Sequence, residues 1–452
     1  MSAFHLLPLR PQRTSLAVQL LNLGLLAWIV AWVWWVSRRR LGLDPWAAAA
    51  ATIATALCAP LAIWSLQGAD VGFVAAWLVP CVALLARERA PGERSEVPLL
   101  WALSLGMLIR PDVTVFYVAA VVTSARWSGD PKRHLLHGAA ALAVIWGGLL
   151  LFNQLYYGDL LPNTYYLKAT GAPRSLVLSR GVTQLATWLP GAVPALALAV
   201  AAFALGRAQS GVTLSAVLVG VAIAYDVWVG GDWATSYGSR FLAPALPLLL
   251  MLTAVGADQA LARLGSARFA ASASGRGVVL AVAVGSGVLL NPSAARREWL
   301  DPAVPTMFKR YNAKNYVSAL YFRDFTFPST SIAVHWGGAL PYFSQRPAID
   351  VLGKSDRHIA KLVVDRFTPG HSKWDWDYVM NERKPDIIDI PTRGLEGHAA
   401  FREHYYYVGT REKGGVGFYI RKSSLDKLTD PDVYLVDHAT GEPMERHPQR
   451  ER

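Results

Sequence analysis

The residues best suited to chemistry lie in a polar loop between two apolar segments. Asp232 and Arg240 belong to the stretch 230–240, which has long apolar runs on both sides. Charge placed so close to segments that could cross a bilayer is costly and commonly serves function. An arginine fork binds phosphate through two parallel hydrogen bonds, and a carboxylate can deprotonate a hydroxyl. The pair therefore suits transfer of a group from a phosphate, although a purely structural Asp–Arg pair has the same residues.

Two earlier turns carry the same residue types. Arg110 and Asp112 flank a proline, and Asp70 ends a short polar turn at 67–70. Arg110 and Asp112 could act on substrate or pair with each other across a helix turn. Asp70 could bind an acceptor, act as a base or cap the helix that follows. We predict Asp70, Asp112 and Asp232 as catalytic carboxylates, and Arg110 and Arg240 as ligands of a phosphate.

A long polar loop at 154–183 and a turn near residue 370 supply further candidate ligands. Lysine binds phosphate as a point charge, while asparagine and histidine hydrogen-bond hydroxyls. Tyrosine can pack on a sugar, but it is also common at membrane interfaces, and the turn near 370 could be an ordinary surface loop. The predicted substrate ligands in these segments are Asn163, Tyr165, Lys168, His371 and Lys373.

The segments that must position these residues are strongly apolar. The chain has 452 residues, of which 53% are hydrophobic and 17% charged, whereas a soluble domain has about 25% charged residues. Apolar runs long enough, or nearly so, to span a bilayer occur at 16–36, 47–66, 70–86, 135–152, 184–206, 211–229 and 241–257, with a shorter one at 277–290. We predict a polytopic α-helical membrane protein with about 8–10 membrane helices, some of them short.

Basic clusters predict the orientation of these helices. Lys and Arg concentrate near 38–40, 87–94, 126–133, 207 and 263–276, which we assign to the cytoplasm. This assignment requires residues 98–124 to enter the membrane and return, turning at Arg110. A single continuous helix over 98–124 would invert every later loop, but an arginine followed by proline disfavours it. The polar segments at 67–70, 110–112, 154–183 and 230–240 then share the outer face of a bacterial inner membrane, and the C-terminal part joins them if 277–290 spans the membrane.

Composition also argues against nucleic-acid binding and metal binding. The net charge of +12 reflects cytoplasmic loops rather than nucleic-acid binding. Cys58 and Cys81 lie in apolar runs and are predicted to be core residues. The histidines of the C-terminal part lack regular ligand spacing, so no metal site is predicted.

After residue 290 the composition becomes mixed and aromatic. Strand-like runs occur at 331–335, 348–352 and 386–390, and a hairpin is predicted from 401–410 and 416–421. We predict a transmembrane domain over 1–290, an extracytoplasmic mixed α/β domain over 291–430 and a charged tail over 431–452.

Several motifs, taken in order, resemble the GT-C type glycosyltransferases, most closely their arabinofuranosyltransferase-like branch. The similar stretches are WSLQGAD at 64–70, LIRPD at 108–112, YYGDLLPNTYYLK at 156–168, GGD at 230–232, RFLAP at 240–244, GALPYFS at 338–344, IDVLG at 349–353 and GHSK at 370–373. The resemblance covers nearly the whole chain. It implies a polyprenyl-phosphate sugar as donor, inversion at the anomeric carbon and an outward-facing site, with no certain cofactor.

The resemblance implies a membrane glycosyltransferase that moves a sugar, such as arabinofuranose or mannose, to a cell-envelope glycan, lipid or protein. Members of that family begin with one more helix and an outer loop that carries an acidic residue taken as the base. Here no acidic residue precedes Asp44. The alternative is therefore a truncated or inactive relative that binds glycans or lipid-linked sugars. A transporter is disfavoured by the large C-terminal domain and the absence of evident repeats.

Overall fold

The structure is a computed structural model, which describes residues 11–87, 96–205, 209–233, 237–264, 272–293, 295, 297, 307–390, 392, 394–411 and 415–444. The chain divides into two compact units. The membrane unit comprises Met1–Leu160 with Arg174–Pro302, and the sheet unit comprises Leu161–Pro173 with Ala303–Arg452.

The membrane unit is built from helices. Their bounds are α1 Pro11–Arg39, α2 Pro45–Ala56, α3 Ala59–Leu66, α4 Val71–Leu85, α5 Val97–Ser104, α6 Val113–Ser124, α7 Pro131–Tyr157, α9 Arg174–Leu205, α10 Ser210–Trp228, α11 Leu246–Leu264 and α12 Ala273–Leu289, while α8 Asn163–Ala169 belongs to the sheet unit. Among the residues that the structure describes, five helices are long and apolar enough to cross a membrane, or six if α2 and α3 form one bent span.

Burial distinguishes the helices that pack inside the membrane unit from those on its surface. On α11, Leu248 and Met251 are fully buried, and the helix packs against α2, α9, α10 and α12. On α7, Leu136 and Leu155 are largely exposed, together with many other apolar side chains. Apolar exposure on this scale is expected where lipid, rather than water, surrounds a helix. The chain is therefore a multi-pass membrane protein.

The apolar run predicted at 47–66 is interrupted by a bend. Helices α2 and α3 meet at 46° across Leu57 and Cys58. The backbone groups released by the break are satisfied by Asn291, whose side chain accepts from Ala59 N (2.9 Å) and donates to Leu57 O (3.1 Å). Within a bilayer such compensation is necessary, because water is not there to satisfy the broken ends.

Residues 98–124 form two short helices and a turn, as predicted. Helix α5 continues as a 3₁₀ turn at Leu105–Leu108, and α6 begins only after Asp112. The two pieces pack against α7. A single helix through Arg110 is therefore wrong, since the proline that follows it keeps the chain out of a continuous helical ladder.

The sheet unit contains a mixed sheet of seven strands in the order β2-β1-β3-β5-β4-β6-β7. The strands are β1 Ile332–Val334, β2 Ala348–Asp350, β3 Ile387–Ile388, β4 Tyr405–Thr410, β5 Gly417–Arg421, β6 Val433–Asp437 and β7 Pro443–Met444. Strand β1 is parallel to β2 and β3, and all other pairings are antiparallel. The helices are α13 Met307–Phe325, α14 Ala339–Ser344, α15 Arg357–Ala360 and α16 Ala399–His404, with a π-helix at Tyr378–Arg383.

Two apolar clusters stabilise the sheet unit. One contains Phe322, Ile332 and Phe418, and the other contains Ala333 and Phe401, so neighbouring residues of β1 contribute to opposite clusters. This alternation is the normal consequence of a period of two along a strand. A mixed α/β domain with the predicted hairpin is confirmed.

Two details of the sheet unit differ from the expectation. Residues 401–404 of the predicted first hairpin strand belong instead to helix α16, and β4 starts at Tyr405. Residues 433–437 and 443–444, within the range expected to be a charged tail, form β6 and β7. Leu435 is buried against the cluster of Phe322, which explains why this polar-looking segment is held in the sheet.

Candidate functional site

The turn before α4 presents Asp70 to an arginine from a distant part of the chain. Gly68 adopts the left-handed region (φ 80°), which lets α3 end and the chain reverse within a few residues. Asp70 occupies the N-cap position of α4, but its side chain makes no capping hydrogen bond. Its Oδ1 instead accepts from Nη1 of Arg110 at 3.1 Å. The alternative that the Asp70 side chain caps the helix is therefore not observed: its backbone lies in the αR region (φ −69°, ψ −4°), whereas a capping residue usually has extended backbone angles.

Arg110 is held by two carboxylates at once. Its Nε donates to Asp112 Oδ1 at 2.9 Å, and its Nη2 donates to Asp112 Oδ2. The guanidinium also lies over the ring of Phe241, 5.3 Å from the centroid. The Arg110 side chain is 17% exposed, against 19% for Asp112 and 43% for Asp70. Asp70 is thus the more accessible of the two carboxylates that bind Arg110.

Asp232 and Arg240 form a bidentate pair. Nε and Nη2 of Arg240 donate to the two carboxylate oxygens at 2.7 and 2.6 Å, and the amides of Trp233 and Arg240 donate to the same oxygens. The Asp232 side chain is 1% exposed. Burial opposes its ionisation, yet the hydrogen bonds and charge of Arg240 outweigh burial and hold the pKa of Asp232 below its usual range.

The loop that carries Asp232 is fixed by α9. Gly230 and Gly231 both have positive φ, and a Cβ on Gly231 would lie 1.8 Å from Gln184 Oε1. Gln184 accepts from Asp232 N at 2.7 Å and donates to Asp232 O, while Arg180 donates to the carbonyls of Gly230 and Asp232. Arg180 and Gln184 are not among the site residues predicted from the sequence. Their spacing of four residues, which places both on one helix face, was the available signal.

Aromatic side chains support Arg240 from the other side. The guanidinium lies over Trp64, 5.1 Å from the ring centroid. Trp64 is itself oriented by a hydrogen bond from Nε1 to Gly238 O (2.9 Å) and by an edge contact with Tyr237. A cation over an indole face gains electrostatic attraction. The turn at 64–70 therefore contributes both Trp64 and Asp70 to the site.

The two arginines meet at one narrow cleft. It is lined by Arg110, Asp112, Tyr225, Arg240, Phe241, Pro244 and the apolar residues Val74, Val113 and Phe116. The free space is about 10 Å³, room for about one water molecule. The structure thus brings together the predicted residues Asp70, Arg110, Asp112, Asp232 and Arg240 in the membrane unit, in a closed arrangement.

The remaining predicted residues lie in the sheet unit. Lys373 is 1% exposed, and its ammonium donates to the carbonyls of Ala360 (2.7 Å) and Tyr166 (2.9 Å). Burial lowers the pKa of Lys373. His371 is buried, and its Nδ1 lies 3.0 Å from Pro369 O. The turn near residue 370 is therefore buried and is not an ordinary surface loop. The bond from Lys373 to Tyr166 O connects this turn to residues 161–173 within the sheet unit.

Asn163, Tyr165 and Lys168 belong to the short helix α8. Tyr165 is exposed and makes an edge contact with Tyr166. The Lys168 side chain lies near Gly370. Their assignment as substrate ligands stays a prediction. No group of three potential metal ligands occurs among the residues that the structure describes.

Comparison with known proteins extends the description of the fold. Residues 309–435 match the family described as "Domain of unknown function (DUF8728)". No curated protein sequence matches the chain. A solved structure, the crystal structure of ArnT from Cupriavidus metallidurans in the apo state, is similar with a TM-score of 0.52 and 16% identity, covering 90% of this chain and 83% of that chain. The likeness is to ArnT and does not distinguish the arabinofuranosyltransferase-like branch. Taken with its apolar helices and mixed sheet, the chain has the fold of the GT-C glycosyltransferases.

Proposed function

We propose that this protein is a membrane glycosyltransferase that uses a polyprenyl-phosphate sugar as donor. The observation that carries the proposal is the cleft at which Arg110 and Arg240 meet carboxylates within a GT-C fold. Arginine forks suit the phosphate that leaves with the lipid, and a nearby carboxylate suits the acceptor proton.

Asp70 is our choice for the base among the three predicted carboxylates. A base must reach an acceptor hydroxyl, and Asp70 is the most exposed of them. Asp232 has both oxygens bound to Arg240 and a lowered pKa, so it is better suited to hold the arginine than to accept a proton. Asp112 holds Arg110 in the same way. Asp112 and Asp232 are then positioning residues.

The bonds, proton and electron pair of the transfer are all accounted for without a cofactor. The acceptor oxygen bonds to the anomeric carbon as the bond from that carbon to the phosphate oxygen breaks. The hydroxyl proton goes to Asp70, and the electron pair leaves on the polyprenyl phosphate, whose charge Arg110 and Arg240 stabilise. Attack opposite to the leaving group inverts the anomeric centre.

Donor binding requires the cleft to open. A space of about 10 Å³ holds one water molecule and cannot hold a phosphate. Arg240 uses Nε and Nη2 for Asp232, which leaves Nη1 outside that pair.

We place this reaction on the outer face of a bacterial inner membrane, where a cell-envelope glycan, lipid or protein is the acceptor. Arabinofuranose and mannose are the donor sugars that we would test first. The basic clusters at 38–40 and 126–133 support this orientation.

The test is sugar transfer by the purified full chain in detergent, with labelled polyprenyl-phosphate arabinofuranose or mannose as donor. We expect turnover that Asp70→Asn lowers by about 10²-fold or more and that Arg240→Ala also strongly reduces. Arg133→Gln and Glu403→Gln, which change exposed charges outside the cleft, are the matched controls and should retain full turnover.

Two outcomes would contradict the proposal that this protein is a glycosyltransferase. Turnover that survives both substitutions would place the chemistry elsewhere. Donor binding without turnover, for every sugar and acceptor offered, would favour a lipid-linked sugar-binding protein instead.

A further inference from the structure

The sheet unit contains an open cleft of about 680 Å³ that the proposed glycosyl transfer does not use. The cleft lies beside the end of β2 and α15, and the π-helix forms another wall. Its volume is within the range of small-molecule sites, roughly 300–1,000 Å³. We call it the cation cleft, defined by Arg357, His358, Lys361, Tyr378 and Arg383.

Charges in the cation cleft are arranged by depth. Arg357, Lys361 and Arg383 are exposed. The two lining carboxylates, Asp350 and Asp356, are only 3% and 8% exposed. A ligand that enters the cleft therefore meets cations before it meets carboxylates.

The buried carboxylates also have partners of their own. Asp350 accepts from the amides of Leu352 (3.0 Å) and Ser355 (2.8 Å). Asp356 caps α15 by accepting from Ile359 N at 3.1 Å, and it accepts from the Tyr378 hydroxyl at 3.1 Å. Asp356 Oδ2 also lies 3.9 Å from Arg383 Nη1, so the ion pair between this carboxylate and an exposed cation is a long one.

An aromatic stack stands next to the cations. His358 and Tyr378 are stacked with centroids 4.3 Å apart, and His358 Nε2 lies 2.8 Å from Asp375. The π-helix brings its last residue back to its first, so that Arg383 Nη1 donates to the Tyr378 hydroxyl at 3.1 Å. Single π turns of this kind are frequent at functional sites. The Arg383 guanidinium also lies over the Tyr378 ring, 5.9 Å from the centroid, and the half-exposed ring of His358 is the surface on which the C–H face of a sugar can pack.

Lys361 completes the cation cleft from the side of α8. Its ammonium lies over the ring of Tyr166, 4.6 Å from the centroid. This contact holds the ammonium itself in place, while the Lys361 residue remains exposed at the opening. A preorganised lysine loses less entropy when it binds an anion.

We propose that the cation cleft binds a saccharide that carries an anionic group, either a phosphate or a carboxylate. Arg383 and Lys361 contact the anion, and the His358–Tyr378 stack contacts the ring. The proposal concerns the sheet unit alone and does not depend on glycosyl transfer by the membrane unit.

The test is isothermal titration calorimetry on the full chain in detergent with four probes. These are glucose 6-phosphate, glucuronate, glucose and inorganic phosphate. We expect one or both charged sugars to bind at least tenfold more tightly than glucose or phosphate alone, and the stronger of the two identifies the anion. Arg383→Gln and Lys361→Gln should each weaken that binding at least tenfold, while Arg310→Gln, an exposed arginine on α13 outside the cleft, should not.

Thermal unfolding of each variant separates lost binding from lost folding. Glucose binding as tightly as the charged sugars would overturn the choice of ligand. Equal loss with Arg310→Gln, or binding of no probe at millimolar concentration, would overturn the site itself. Glycosyl transfer that fails in the wild type leaves these outcomes unchanged, so the two proposals can fail separately.

Discussion

The two charged regions of this protein are built in opposite ways. In the membrane unit Arg110 and Arg240 are held by carboxylates, and Asp232 is almost completely buried. In the cation cleft the carboxylates are buried and bonded to their own loops, while Arg383 and its neighbours are exposed. The first arrangement holds charges in fixed positions inside a closed cleft, and the second presents exposed cations at the opening of a cleft.

The two arrangements predict different effects of mutation on the stability of the fold. Removing one member of a buried ion pair leaves an uncompensated charge and destabilises the fold. Removing an exposed cation changes stability little, because the side chain is solvated in both states. The membrane unit should therefore lose stability and activity together at most positions, whereas the cation cleft should lose only binding.

Asp70→Asn has the largest expected effect on turnover. Asp70 is the position of the membrane unit at which activity should be lost with little loss of stability. Loss of a general base lowers turnover about 10²- to 10⁴-fold. Because Asp70 is 43% exposed, and an asparagine oxygen can still accept from Arg110, stability should change by less than about 1 kcal/mol. The measurements are sugar transfer and the thermal unfolding midpoint in the same detergent.

Asp112→Asn is the matched comparison, since it neutralises the other partner of Arg110. It should cost more stability than Asp70→Asn because the pair is less exposed. Equal loss of turnover in both variants, with equal loss of stability, would contradict a separate role for Asp70.

Asp232→Asn is expected to cost about 3 kcal/mol of unfolding free energy, since the bidentate partner of Arg240 is lost in a nearly buried site. The double variant Asp232→Asn with Arg240→Gln should recover much of that stability, because no unpaired charge remains, but it should not recover turnover. Thermal unfolding gives the coupling between the two sites. If the double variant regained turnover as well, the pair would be structural only.

The sequence predicted the elements better than it predicted their partners. The turn at Arg110, the strand runs and the apolar spans follow from local signals such as proline and alternation. That Asp70 binds Arg110 rather than its own helix could not be read locally, because the two residues are 40 positions apart. The same holds for Gln184 on the Asp232 loop and for Lys373, whose ammonium is buried among backbone carbonyls.

Asp389 provides a second contrast with Asp232, because both carboxylates are buried. Arg240 holds the pKa of Asp232 down, whereas burial raises the pKa of Asp389 to about 6, opposed only by the charge of Lys314. The folded sheet unit thus binds the Asp389 proton more tightly than the unfolded chain does. Its contribution is favourable below about pH 4 and is lost as the pH rises through 6.

Asp389→Asn should therefore raise stability at pH 7 by about 2 kcal/mol and flatten the dependence between pH 4 and 6, since a shift of two pKa units corresponds to about 3 kcal/mol at most. The measurement is the thermal midpoint of wild type and variant across that range. Asp437→Asn is the control: its carboxylate is more exposed, and hydrogen bonds and the charge of Lys422 overcome burial to lower its pKa, so it should not stabilise at pH 7. A wild-type midpoint that rises between pH 4 and 6 as a result of Asp389 would contradict the assignment.

Arg383→Gln has the smallest expected effect on stability. It therefore tests the difference between the two charged regions most directly. Its side chain is 46% exposed, and its nearest carboxylate oxygen, on Asp356, is 3.9 Å away. Replacement should change the unfolding free energy by less than about 0.5 kcal/mol. In the same variant the affinity for the charged sugar should fall at least tenfold. A stability loss close to that of Asp232→Asn would mean that Arg383 holds the π-helix through Tyr378. The charges of both regions would then stabilise the fold in the same way.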